Sequence, residues 1–138
     1  MKYGAIRKVK KIIKGRILAH ARAFDWRANN CMHAVAEVVD DYHKTDCLKD
    51  FDFEFADSER ETFKRLRKKG YKSLEQLLDA YLTRKDKKYA QTGDICLIGS
   101  AAGIYRYDKA IGFGEDGLTH VNRSDIDAVY DLTSYKAK

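Results

Sequence analysis

The hydrophobic pattern of this chain changes period once, near Thr92, and no other feature limits the fold so sharply. Before that point apolar residues recur three and four positions apart, as one face of a helix requires; after it they come in short β-branched and aromatic runs. Ile6, Val9, Ile13 and Ile17 form such a face between Tyr3 and Ala21, with lysines opposite and Gly15 as its weak point. Asn29 or Asn30 is placed to cap a second helix, whose stripe is Met32, Val35, Ala36, Val39 and Tyr42. The acidic, aromatic "KTDCLKDFDFEFAD" reads as a loop with one short extended piece. Ser58 with Glu61 and Ser73 with Gln76 are capping boxes that open two further helices. Phe63 and Leu66 face inward in the first, which Gly70 ends, and Leu74, Leu77, Leu78 and Tyr81 face inward in the second. The polar "TRKDKKYAQTGD" leads to five strand-like runs, "DICLIG", "GIYRY", "KAIGF", "LTHVN" and "AVYDL". Helices first and strands after predict an α+β fold, N-terminal helices packed on a C-terminal antiparallel sheet of about five short strands.

A chain of 138 residues can bury one core but not two, so one compact unit is expected, a basic helix over 1–22 leading into an α+β domain over 23–138. No apolar run reaches the roughly 18 residues of a membrane span. The basic N-terminus is interrupted by Lys14, Gly15 and Arg16 before a signal-peptide core can build, so folding in a cytoplasm is expected. Cys31, Cys47 and Cys96 are odd in number and lack C-x-x-C spacing, against a disulfide framework or a four-ligand zinc site. Residues 1–24 hold eight Lys or Arg and no acid in a chain of net charge +6, so the remainder is slightly negative. The basicity belongs to one end. Arg7, Lys8, Lys10, Lys11, Lys14 and Arg16 are therefore candidates for contact with an acidic partner or nucleic acid, the alternative being a solvated helix face.

The stretch "FDWRANNC" sets a cysteine at the first turn of a helix, behind two good caps. Free N–H groups and the helix dipole favour a thiolate there, and a small buried residue is equally at home. With "RLRKKGYKSLEQLLDAYL" and "GDICLIG…AAGIYRY…GEDGL" following in order, residues 15–132 resemble a small phage-encoded branch of the NlpC-type cysteine peptidases, enzymes of papain-like fold that cut bacterial cell-wall peptides. That branch shows a motif like F-x-W-G-x-x-D-C. Phe24, Trp26 and Cys31 match it, while Arg27 and Asn30 stand where Gly and Asp are usual. The resemblance implies Cys31 as nucleophile, a His opening a strand of the form H-x-G-I, and a third polar residue about a dozen positions later. Those positions hold Ala101 and Phe113. Alanine takes no proton and a phenyl ring orients no imidazole, so the machinery reads as incomplete.

Of the other histidines, His120 lies on an expected strand of the same sheet and is the best substitute base, although a lone His on a sheet is more often structural. His33 projects from its helix in another direction than Cys31, and His20 and His43 fall near helix ends. Cys31 with His33 lacks a second ligand pair for a metal, and no cofactor motif is found. "GFGEDG" is flanked by strands and carries Glu115 and Asp116, which makes it a hairpin turn rather than a phosphate loop. Arg60, Lys64, Arg65, Arg67, Lys68, Lys69 and Lys72 fit the wet face of a helix better than a phosphate-binding surface.

Three functions compete. The first is a phage virion component, in the tail or ejected, keeping the fold for contacts with other virion proteins, its basic N-terminal helix docking on a partner or DNA, assembled in the host cytoplasm. The second is an active hydrolase of peptidoglycan stem peptides, using Cys31 and His120. The third is a nucleic-acid-binding module. The missing partners of Cys31 favour the first.

Overall fold

The computed structural model describes residues 10, 11, 14, 24–27 and 29–137. Most of the expected N-terminal helix, including Arg7, Lys8 and Arg16, lies outside them; Lys10, Lys11 and Lys14 are helical and exposed.

From Cys31 on, four α-helices precede the sheet: α1 (Cys31–His43), α2 (Cys47–Phe51), α3 (Glu59–Lys68) and α4 (Leu74–Tyr81). Each long one starts where a side chain meets orphan amides. Asn30 Oδ1 accepts the amides of Met32 and His33 at 2.8 and 3.2 Å, so Asn30 rather than Asn29 is the cap of α1. Ser58 and Ser73 each accept the amide three residues on at 3.2 Å. The helix α2 falls in the stretch read from sequence as a loop with an extended piece. Its five residues carry no periodic signal, and the Cys47 amide is fixed instead by the Asp40 carboxylate of α1 at 2.9 Å. In α3, Thr62 and Leu66 are buried and Phe63 only half-buried, because Thr62 Oγ1 accepts the Ala56 amide at 3.2 Å.

Six strands follow: β1 (Arg84–Lys85), β2 (Ile95–Ile98), β3 (Ala101–Arg106), β4 (Lys109–Gly114), β5 (Gly117–Asn122) and β6 (Ala128–Tyr130). They form one antiparallel sheet in the order β1-β6-β2-β3-β4-β5. The expected α+β class holds, with one strand more than the sequence suggested. β1 lies in the stretch read as a polar link, and its two residues are strand only because Arg84 and Lys85 pair with Tyr130 and Val129. No pattern of two residues can announce that.

The pleat sorts side chains onto two faces. Ile95, Leu97, Ala102, Ile104, Ile111, Phe113, Ala128 and Tyr130 point to the helices and join Val35, Val38, Leu66, Leu77 and Leu78 in the main core. Cys96, Tyr105, Ala110 and Val129 point the other way and are covered by Ile126 and Ala90. Burying a side chain of the Leu, Ile or Phe class contributes about 1.5–3 kcal/mol, so the helix-facing layer dominates stability. Cys31 belongs to it, where the N-terminus of α1 meets β3 and β4.

No described helix is long and apolar enough to cross a membrane.

Candidate functional site

A cavity of about 270 Å³ opens where α1 begins. Cys31 lies in its wall together with Ala101, the first residue of β3, and Phe113, near the end of β4. Register explains the meeting. Gly103 pairs with Gly112, which sets the start of β3 beside the end of β4, and the N-terminus of α1 rests on both strands. Phe24, Trp26, Phe63 and Met32 add apolar wall. Glu59, Glu115 and Asp116 supply carboxylates, and no Lys, Arg or His is among the described residues that line the space.

Trp26 donates its indole N–H to Glu115 in the two-residue turn between β4 and β5, and Phe24 packs edge-on to Trp26 at 5.2 Å. The "FDW" segment and the "GEDG" turn are thereby joined across the cavity mouth. The sequence marked each separately, as part of the motif before Cys31 and as a hairpin turn, but nothing in it paired them. Arg27, where the resembled branch has glycine, reaches Asp57 at 2.7 Å and ties the same segment to the approach to α3.

Cys31 is 6 % exposed and is a free thiol. Burial pushes its pKa up, and the Glu59 charge adds to that, against the favourable amides of Ala102, Cys31 and Met32. The helix N-terminus thus fails to make a thiolate here, because desolvation outweighs it. Cys47 is likewise pushed up to about 12, first by burial and then by Asp40, and burial with Asp94 nearby raises Cys96.

The structure brings together Cys31, Ala101 and Phe113, the positions the family resemblance aligned with nucleophile, base and third residue. It does not bring His120 there. That residue is exposed on the edge strand β5 opposite Ile111, and is not in the cavity wall. His33 turns away from Cys31 to pack on Phe55 at 4.3 Å between ring centres. His43 bonds the Leu132 carbonyl at 2.7 Å. Among the described residues no cluster of three His, Cys, Asp or Glu is arranged to hold a metal ion.

Of the N-terminal basic candidates, Lys10, Lys11 and Lys14 are among the described residues. All three are exposed, and Lys10 lies over the Tyr107 ring at 5.7 Å. In the α3 cluster Arg65 donates to the carbonyls of Glu54 and Phe55 and Lys69 to that of Asp52, so part of that charge holds the loop before α3.

Sequence reasoning missed the buried carboxylate of Asp94. It meets the Lys85 ammonium at 2.6 Å and accepts the amides of Gln91 at 2.8 Å and Leu132 at 3.1 Å. Its position just ahead of β2 was the available signal, but two of its three partners come from β1 and from beyond β6. The group is structural.

Neither a curated protein nor a solved structure matches the chain. A family model described as "Domain of unknown function (DUF6950)" matches residues 10–132, and with most of its length so covered the chain belongs to that family.

Proposed function

We propose that this protein is a phage virion-associated component, in the tail or ejected, built on a degenerate NlpC-type papain-like fold and kept for contacts with other virion proteins. The observation that carries the reading is the company of Cys31. A thiol at a helix N-terminus faces an alanine and a phenylalanine where a hydrolase of this kind needs a proton acceptor and its orienting group. The raised pKa points the same way, since catalysis by cysteine needs the thiolate. The arrangement supports a retained scaffold, with α1 seated on β3 and β4 as in a working enzyme and the chemistry gone.

Two measurements test this. Purified particles should contain the protein in fixed stoichiometry, and a protein found only free in lysate would refute the virion role. Incubated with peptidoglycan stem peptides, the wild-type chain should release nothing that a Cys31→Ser variant does not also release. Cleavage lost on that substitution would restore the hydrolase reading.

A further inference from the structure

Two aromatic rings stand out on the described surface. Tyr89 and Tyr107 are the exposed large apolar side chains among the described residues, each 64 % accessible. They hang from adjoining backbone, since the Tyr107 amide donates to Thr92 Oγ1 at 3.0 Å and Thr92 is three residues beyond Tyr89.

Each ring has a cation over it. The Lys88 ammonium lies 5.2 Å from the centre of Tyr89. The Arg106 guanidinium and the Lys10 ammonium lie 5.3 and 5.7 Å from that of Tyr107. Lys109 stands across the hairpin from Arg106, and Lys11 and Lys14 are exposed on the segment that carries Lys10. Of the nearby carboxylates, Asp86 already accepts the Lys88 amide, and Asp108 is the acid within the turn.

Tyr107 is also the first residue of the two-residue turn joining β3 and β4, with φ at 61°. Glycine is favoured there, and a bulky side chain in that region is a true outlier. An exposed ring contributes no core packing in return. The fold alone would do better with glycine, so the ring's presence calls for a use outside the fold.

Solvent-facing rings beside cations are what unsequenced single-stranded nucleic acid needs: base faces stack on the rings while the cations follow the phosphates. We infer that the face formed by Tyr89, Tyr107, Arg106, Lys88 and Lys10 binds single-stranded nucleic acid, with the two tyrosines as stacking platforms. None of these five residues lines the Cys31 cavity.

The test is fluorescence anisotropy of a short labelled single-stranded DNA with the full chain and its variants, with duplex DNA and heparin as competitors. Tyr89→Ala and Tyr107→Gly should each weaken binding about tenfold. Tyr107→Trp should bind like wild type, and Arg106→Ala should lower the log–log salt slope by about 1. Melting of Tyr107→Gly at or above the wild-type temperature would show that its loss of binding is not unfolding. Wild-type affinity in both Tyr89→Ala and Tyr107→Gly would overturn the inference. So would heparin or duplex DNA competing as well as unlabelled single strand, which would mark the face as acting by charge alone.

Discussion

The Asn30 amide donates to His33 Nδ1 at 3.1 Å, while the Asn30 carboxamide oxygen accepts the His33 amide at 3.2 Å. This reciprocal pair closes the N-terminus of α1 and accounts for His33, which otherwise invites a catalytic reading. The His33 ring serves the cap and packs on Phe55, not the thiol between them in sequence. Asn30 Nδ2 also donates to the Trp26 carbonyl at 2.7 Å, so the same side chain holds the segment at the cavity mouth.

Asn30 is 1 % exposed, and its removal strands donors and an acceptor. Asn30→Ala is expected to lower stability by about 2 kcal/mol, the upper end for a cap, because the Trp26 carbonyl loses its partner as well. Urea unfolding measures it. A loss below about 0.5 kcal/mol, the lower bound for an ordinary cap, would show that the cap does not organise this corner.

Cys31 should react with iodoacetamide more slowly than a free cysteine at neutral pH, since burial holds its pKa above the ordinary thiol value. The rate should climb only in alkaline solution. Peptide mapping separates Cys31 from the half-buried Cys47. Faster reaction at Cys31 than at a free thiol would contradict the non-catalytic reading directly.

Asp94 is fully buried with one ammonium and two amides as partners. Asp94→Ala leaves the half-buried Lys85 and both amides unpaired and is expected to cost about 3–5 kcal/mol, enough to unfold many domains of this size. Lys85→Met keeps the two amides on the carboxylate and should cost less. Thermal melts of the two variants decide the order.

The Asp79 carboxyl is held below the usual carboxylate range, chiefly by its hydrogen bond from Arg84 and further by the Tyr130 hydroxyl, against a partial desolvation. Its folded pKa lies under its unfolded one, so the stabilisation is present at neutral pH and is lost as pH falls through the folded value. Asp79→Asn should therefore flatten the stability profile below about pH 4 while changing little of its slope near neutrality. The pair is half exposed, so the effect should shrink with added salt. Stability measured from pH 2 to 7 in low and high salt checks both.

A Cβ on Gly103 would sit 2.5 Å from the Ile111 carbonyl oxygen, a backbone atom of the paired strand. Gly103→Ala is expected to cost about 1–3 kcal/mol by forcing β3 and β4 apart, beside Phe113 and the cavity. Chemical denaturation reports the loss. An alanine tolerated without cost would mean that the two strands separate freely there.

The sequence by itself determined what periodicity and local chemistry can determine. The caps of α3 and α4 need only a serine and the amide three residues away, and the inward stripe of α4 needs only helical spacing. The change of period at Thr92 separated helices from five of the six strands for the same reason, and "GEDG" could be read as a turn because Gly114 and Gly117 suit its ends. Tertiary structure decided whatever depends on partners far apart in the chain. The strand β1 exists only through β6, α2 is fixed through Asp40, and Lys85 and Leu132 meet at Asp94. The character of Cys31 was decided in the same way. Its place at a helix N-terminus is local, but the burial that keeps its proton on is made by β3 and β4, seventy residues and more along the chain, and no local pattern carries a desolvation imposed from that distance.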